Sequence, residues 1–250
     1  MNKLNKSEFI DFLEKSYLNG LTDSIKIQSL QESIYVEFIN KSGGFAGKIF
    51  NNRLKGIFPE GEYGIFNIKK LIKSLSILGN NIETHTHLKQ SVPQIEFKDF
   101  HIKFNFTLSD LMVITPVPNI NEPEEYDIEF NIKKQDIENF IKSKNALDTD
   151  KFNISVDFDN KIIFSLGENV DYADKISFHI VPNKSTNLPE SIPFNADWFK
   201  EILSANKNFS QATIRLSKEG LMKIEFIEPF EHEGFSGENK AIYYLIRNQN

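Results

Sequence analysis

The chain has 250 residues, a formal net charge of −6, and hydrophobic and aromatic contents of 40% and 12%. This is the composition of a globular protein with one large domain or two ordinary ones, and it excludes global disorder. The chain has no cysteine, which excludes disulfides, thiolate metal sites and a cysteine nucleophile and fits a reducing cytoplasm; the acidic balance alone argues against nucleic acid.

The opening Met1-Asn2-Lys3-Leu4-Asn5-Lys6 leads into an amphipathic stretch rather than an apolar core, so no signal peptide is expected. No apolar run approaches the roughly 18 residues of a membrane span. A helix is expected over 7–18, with Ser7 as N-cap, Phe9, Phe12, Leu13 and Tyr17 on one face, and Gly20 as its stop. Alternating strands follow at 24–30, 33–40, 45–50 and 62–67. A second helix spans 68–78, with Ile68, Leu71, Leu75 and Leu78 on one face. Three more strands take 82–88, 94–100 and 101–107. After Leu111, the prolines Pro116, Pro118 and Pro123 and the glutamates Glu122, Glu124 and Glu125 predict an extended connector. Beyond it come a strand at 126–131, a helix at 134–144, strands at 151–158, 161–166 and 175–181, a helix at 196–206, and strands at 212–217, 222–227 and 240–247. The segment 230–239, with Glu231, His232, Glu233 and two glycines, is expected as an acidic loop.

This order contains a repeat. Phe9-Ile10-Asp11-Phe12-Leu13 returns 128 positions later as Ile137-Glu138-Asn139-Phe140-Ile141, and Ile34 and Val36 return as Ile162 and Phe164. Phe66-Asn67, followed by Leu71 and Leu75, returns as Phe194-Asn195, followed by Phe199 and Leu203. Ile95-Glu96-Phe97 returns, one residue further along, as Ile224-Glu225-Phe226. The expected organisation is therefore one domain over 1–114, a connector over 115–125 and a second copy over 126–250. The class is α+β: two tandem copies, each with two helices packed on mostly antiparallel sheets.

Charge is unevenly distributed over these elements. On the second helix, Lys69, Lys73 and Ser76 lie opposite Leu71 and Leu75, and Lys70 flanks them. The window 68–80 holds three lysines and no acid. On the third helix, Lys142 lies with Gln135 and Asn139 on the polar side, whereas Lys144 falls on the apolar side. The remainder of the chain is strongly acidic. Diffuse lysines on helix faces suit phosphate contact without sequence readout.

Taken together, the chain resembles the sliding clamps of T-even-like tailed bacteriophages, the processivity factors of DNA polymerase. The resemblance rests on the duplicated helix–strands–helix–strands order and on the Pro-containing connector over 114–118. Locally it rests on Ile65-Phe66-Asn67-Ile68-Lys69-Lys70-Leu71, on Asp157-Phe158-Asp159-Asn160-Lys161-Ile162-Ile163 and on Lys240-Ala241-Ile242-Tyr243-Tyr244-Leu245. It implies a non-enzymatic, cofactor-free homotrimer closing head to tail into a ring around double-stranded DNA. A clamp loader would open the ring and a DNA polymerase would dock on it, in the cytoplasm of an infected bacterium. Lys69, Lys70, Lys73, Lys134 and Lys142 would face the DNA. Met112, Val113, Pro116, Val117 and Pro118 would wall a partner pocket beside the connector. The first helix departs from this pattern, with Glu8, Asp11 and Glu14 beside Lys15, and the last carries Asp197 and Glu201.

Other signals point to less. His85-Thr86-His87 sets two imidazoles on one strand face, but no third metal ligand follows from spacing. Asp157-x-Asp159 lacks the remainder of a cation loop and fits a hairpin turn. Ser42-Gly43-Gly44 is too short for a phosphate loop. Two further readings stand beside the clamp: a duplicated β-rich virion protein, and a hydrolase with carboxylates from both halves.

Overall fold

The computed structural model of the chain describes residues 2–89, 92–167, 173–186, 188, 190–232 and 235–248. The first copy runs β1 (Asn2–Asn5), α1 (Lys6–Tyr17), β2 (Ile25–Ser29), β3 (Ile34–Ile39), β4 (Phe45–Asn51), β5 (Gly61–Ile65), α2 (Ile68–Ser76), β6 (Asn81–Lys89), β7 (Val92–Lys98) and β8 (Lys103–Thr107). The second runs β9 (Ile128–Asn131), α3 (Lys134–Leu147), β10 (Lys151–Val156), β11 (Ile162–Gly167), β12 (Lys175–Ile180), β13 (Ile192–Asn195), α4 (Ala196–Ala205), β14 (Gln211–Leu216), β15 (Leu221–His232) and β16 (Phe235–Ile246).

The duplication is explicit in strand order. The first copy pairs its strands β1-β6-β7-β8 and β5-β2-β3-β4; the second pairs β9-β14-β15-β16 and β13-β10-β11-β12. Each position in the second set is its counterpart in the first, eight strands on. The class is α+β on antiparallel sheets, as the sequence predicts. By compactness the chain forms two units. One is Met1–Lys41, Ala46–Pro118 and Pro229–Ala241; the other is Ser42–Phe45, Asn119–Glu228 and Ile242–Asn250. The long break between them falls between Pro118 and Asn119.

Each unit is organised by aromatic side chains under its helices. In the first, α1 and α2 lie side by side, and Phe9, Phe12, Leu13, Ile68, Leu71 and Leu75 are buried. The Phe9 ring stacks on Phe97 at 6.0 Å and meets Phe58 edge-on at 6.5 Å. In the second, Phe140 of α3 sits 4.7 Å from Phe199 of α4 and 5.0 Å from Phe152 of β10. Phe152 in turn stacks on Phe164 at 5.6 Å. Offset and edge-to-face pairs of this kind add to the burial of the rings themselves. Gly44 is required here for space: a Cβ would lie 2.2 Å from the Trp198 indole, whose ring packs 5.5 Å from Phe45.

Several expectations need correction. The N-cap of α1 is Asn5, not Ser7: its Oδ1 accepts the Ser7 and Glu8 N–H groups at 3.0 and 3.4 Å, and Asn satisfies the orphan donors as well as Ser does. The strands β1 and β13 were not foreseen: Asn2–Asn5 and Ile192–Asn195 are short, polar or proline-containing, and run directly into helices. The expected acidic loop over 230–239 is strand on both sides, β15 reaching His232 and β16 beginning at Phe235; Glu233 and Gly234 lie outside the described residues. These two strand ends are tied down within the first unit. Arg53 sits over the Phe230 ring at 4.8 Å. Asn52 donates from its backbone N–H to Asn239 Oδ1 and from Nδ2 to the Glu238 carbonyl, both at 3.1 Å.

The Phe140 cluster makes a direct prediction. Phe140→Ala should cost about 3–5 kcal/mol, the range for a buried ring replaced by a cavity, measured by urea denaturation. A loss under about 1 kcal/mol would show that the ring does not hold α3 to its sheet.

Candidate nucleic-acid interface and connector

The helix α2 forms because its apolar positions recur on one face and because Asn67 caps it, with Oδ1 accepting the Lys70 N–H at 2.8 Å. Burial of Ile68, Leu71 and Leu75 leaves Lys69, Lys70 and Lys73 exposed on the outer side. With Asn67, Ser74 and Ile77 they line a shallow, open depression of about 500 Å³. Among the described residues none of the three has a carboxylate partner.

That lack of pairing contrasts with the sheets. Lys26, Lys48, Lys98, Lys103 and Lys223 each meet a glutamate at 2.7–3.1 Å. Where cations lie on the sheets, then, their charge is largely answered locally. An ammonium with no counter-charge on its own surface is available to an external phosphate without first breaking a contact.

The structure places the other lysine candidates less uniformly. Lys134 is exposed in the first turn of α3, where Asp136 accepts the Lys133 backbone N–H at 2.9 Å. Lys142 is exposed but lies 3.5 Å from Glu138, one turn back. Lys144 is buried, as its helical phase indicated, and its ammonium meets Asp197 of α4 at 3.0 Å and Asp148 at 3.7 Å. On α1, Lys15 pairs with Asp11 at 2.7 Å, and Lys6 donates to the Leu78 carbonyl.

The connector candidates are held by their neighbours. Leu108 and Ile114 are buried. Between them, the Ser109 N–H donates to the Gly64 carbonyl at 2.8 Å, and Ser109 Oγ accepts the Phe66 N–H at 3.2 Å. Gly64 permits this approach, since a Cβ there would lie 2.7 Å from the Ser109 carbonyl. A short 3-10 turn over Leu111–Val113, capped by Asp110, then presents Met112 and Val113 outward, with 92% and 54% of their surface exposed. Pro116 and Pro118 are exposed and Val117 is half-buried.

Sequence reasoning missed the strongest polar contact of this region. Glu122, expected as a linker residue, accepts from Lys223 Nζ at 2.8 and 3.0 Å, from Tyr244 Oη at 2.6 Å and from Tyr126 Oη at 3.2 Å. Partial desolvation pushes its carboxyl upward, but the hydrogen bonds from Lys223 and Tyr244 outweigh that and hold it below the usual glutamate range. Burial, and then the Glu122 carboxylate, raise both phenols. Glu125 adds a contact to Lys184 at 3.1 Å. The connector's later part is thus a fixed part of the second unit. Of the remaining sequence signals, His85 and His87 stack at 5.8 Å. Among the described residues no group of three or more His, Asp or Glu could hold a metal ion.

With this geometry in view, comparison with solved structures is decisive for the fold. The chain superposes on PCNA in a structure of the FEN-1 C-terminal region bound to A. fulgidus PCNA with a TM-score of 0.72 and 16% identity, covering 99% of this chain and 98% of that one. The chain has the PCNA clamp fold. It also matches a chain of the PCNA2–PCNA3 complex from Sulfolobus tokodaii, with a TM-score of 0.70, 12% identity and 98% of both chains covered. No family model and no curated protein matches the sequence. The clamp fold therefore extends over the whole chain, both copies included, although few side chains are shared.

Because Glu122 is held ionised, its contribution to stability is present above its unfolded pKa of about 4.3 and is lost as pH falls through its lower folded value. Glu122→Gln should therefore cost roughly 1 kcal/mol at neutral pH. The gap from wild type should shrink in acid below the carboxyl range. Urea denaturation at the two pH values checks this; a gap independent of pH would mean that the carboxylate's charge is not what holds the connector.

Proposed function

We propose that this protein is a sliding clamp: a non-enzymatic ring that encircles double-stranded DNA and tethers a replicative DNA polymerase. The observation that carries this reading is a clamp fold over the full chain combined with the unpaired lysines of α2. A ring that encloses a duplex needs topological closure and a weakly attractive wall, and sequence-independent lysine contacts supply that wall. Lys69, Lys70, Lys73, Lys134 and Lys142 would face the DNA in this reading. Met112, Val113, Pro116, Val117 and Pro118 would receive partner segments, with the exposed Met112 and Val113 the natural anchors for an apolar side chain. The sequence resemblance supports a T-even-like phage protein, working with a clamp loader in the cytoplasm of the infected host.

Ring closure is supported by the free sheet edges. Among the described residues β8 has only β7 as neighbour, β12 only β11 and β1 only β6, and β8 and β12 are the equivalent outer strands of the two copies. By contrast, the outer sides of β5 and β9 are bridged by Ser109 and Lys184, and Pro193 of β13 accepts the Asn248 N–H at 2.9 Å. Unpaired edges invite strand addition. A contact from β8 of one copy to β12 of the next joins two different surfaces, so it is head-to-tail and forms a ring where the rotation between copies closes. Three copies give six similar domains.

Light scattering over a dilution series should return about three times the 28.9 kDa chain mass, falling to monomer on dilution. A monomer throughout, or an open-ended series of larger species, would overturn the ring and favour the virion-protein alternative. Lys69→Glu, Lys73→Glu and Lys142→Glu together should impair loading or sliding in a processivity assay while leaving the trimer mass unchanged. Normal processivity in that variant would remove the lysines from the DNA-facing role.

A further inference from the structure

We infer that the two copies share the duplex unequally, with α2 of the first copy making most of the phosphate contact and α3 of the second making much less. The inference rests on the clamp reading and concerns which residues of that wall do the binding.

The two helices offer lysines of different availability. On α2, Lys69, Lys70 and Lys73 are all exposed, lack carboxylate partners among the described residues and line one depression. The helix itself contains no acid. Its positive potential is therefore uncancelled across one face. By contrast, α3 carries Asp136 and Glu138. Lys142 already lies 3.5 Å from Glu138, with both side chains well exposed. A phosphate approaching Lys142 meets the repulsion of that carboxylate and competes with it for the ammonium. Lys144, which would otherwise balance these acids, is buried against Asp197. Lys134 is the one α3 candidate left unopposed.

The neighbouring helices do not redress the difference. On α1, Lys15 is taken by Asp11, Lys6 by the Leu78 carbonyl, and Glu8 lies 3.5 Å from Arg53. On α4, Asp197 and Glu201 stand against Lys200. Because each phosphate-neutralising lysine releases counterions, the inequality should be visible as a difference in salt dependence between variants that remove equal numbers of charges.

The test compares Lys69→Ala/Lys73→Ala with Lys134→Ala/Lys142→Ala, each removing two exposed lysines in favour of a good helix former. The probe is a short fluorescein-labelled linear duplex, titrated by fluorescence anisotropy at several salt concentrations without a loader. Trimer mass is checked for each variant. The α2 pair should lose about tenfold in affinity at low salt and flatten the salt slope, while the α3 pair should lose less than about threefold. Glu138→Gln, which frees Lys142, should tighten binding about twofold. Equal losses from the two pairs, or no gain from Glu138→Gln, would overturn the unequal division while leaving the clamp reading intact. Wild-type binding that neither pair weakens, or absence of wild-type binding, would overturn the helix-face assignment, while processivity on loaded DNA decides the clamp reading separately.

Discussion

Every helix in this protein has one apolar face and only one place to put it. Antiparallel sheets can be wet on one side and dry on the other, so a pair of helices laid on the dry side satisfies both layers at once. Phe140 is the clearest instance, packed against Phe152 of the sheet and Phe199 of the neighbouring helix. In the first copy Phe9 packs against Phe97 of β7 and Phe58 of the loop before β5. Once those faces are buried, the opposite face of each helix is necessarily the outer one. What that outer face carries is then free to serve binding, because no packing demand restricts it.

The charge pattern follows from this division. On strands, side chains of opposite charge stand across from one another at short range, and Lys26 with Glu62 or Lys103 with Glu96 neutralise locally. On α2 the three lysines face the same way with no acid among them. A net charge of −6 therefore coexists with a locally basic surface. The sum misleads because the excess acids lie elsewhere in the chain, whereas α2 itself carries lysines and no acid.

The duplication makes the same architecture tolerate quite different side chains. Phe9 corresponds to Ile137 and Leu71 to Phe199, yet both sheet pairs keep one strand order. At these positions apolar character is kept while size and identity change, as expected of cores that tolerate hydrophobic substitution when total volume and pattern are kept. The same tolerance accounts for a clamp fold shared at 12–16% identity with PCNA chains. Surface residues are under no such constraint: α2 carries only lysines as charged residues, whereas its counterpart α4 carries Asp197 and Glu201 beside Lys200.

The sequence by itself determined the repeat, the α+β class, the two helices of each copy and the outward direction of Lys69, Lys70, Lys73 and Lys142. Period and helical phase are local properties, so they survive without knowledge of distant contacts. It also placed Lys144 on the apolar side. Only the tertiary structure decided what that buried ammonium meets, that β1 and β13 are strands, and that 230–232 and 235–239 are strand, tied to Asn52 and Arg53. It alone turned Glu122 from a linker acid into the shared acceptor of Lys223, Tyr126 and Tyr244. Those partners lie as far as 122 positions along the chain. No periodicity links residues so distant; they meet because the sheets have already fixed where each strand runs.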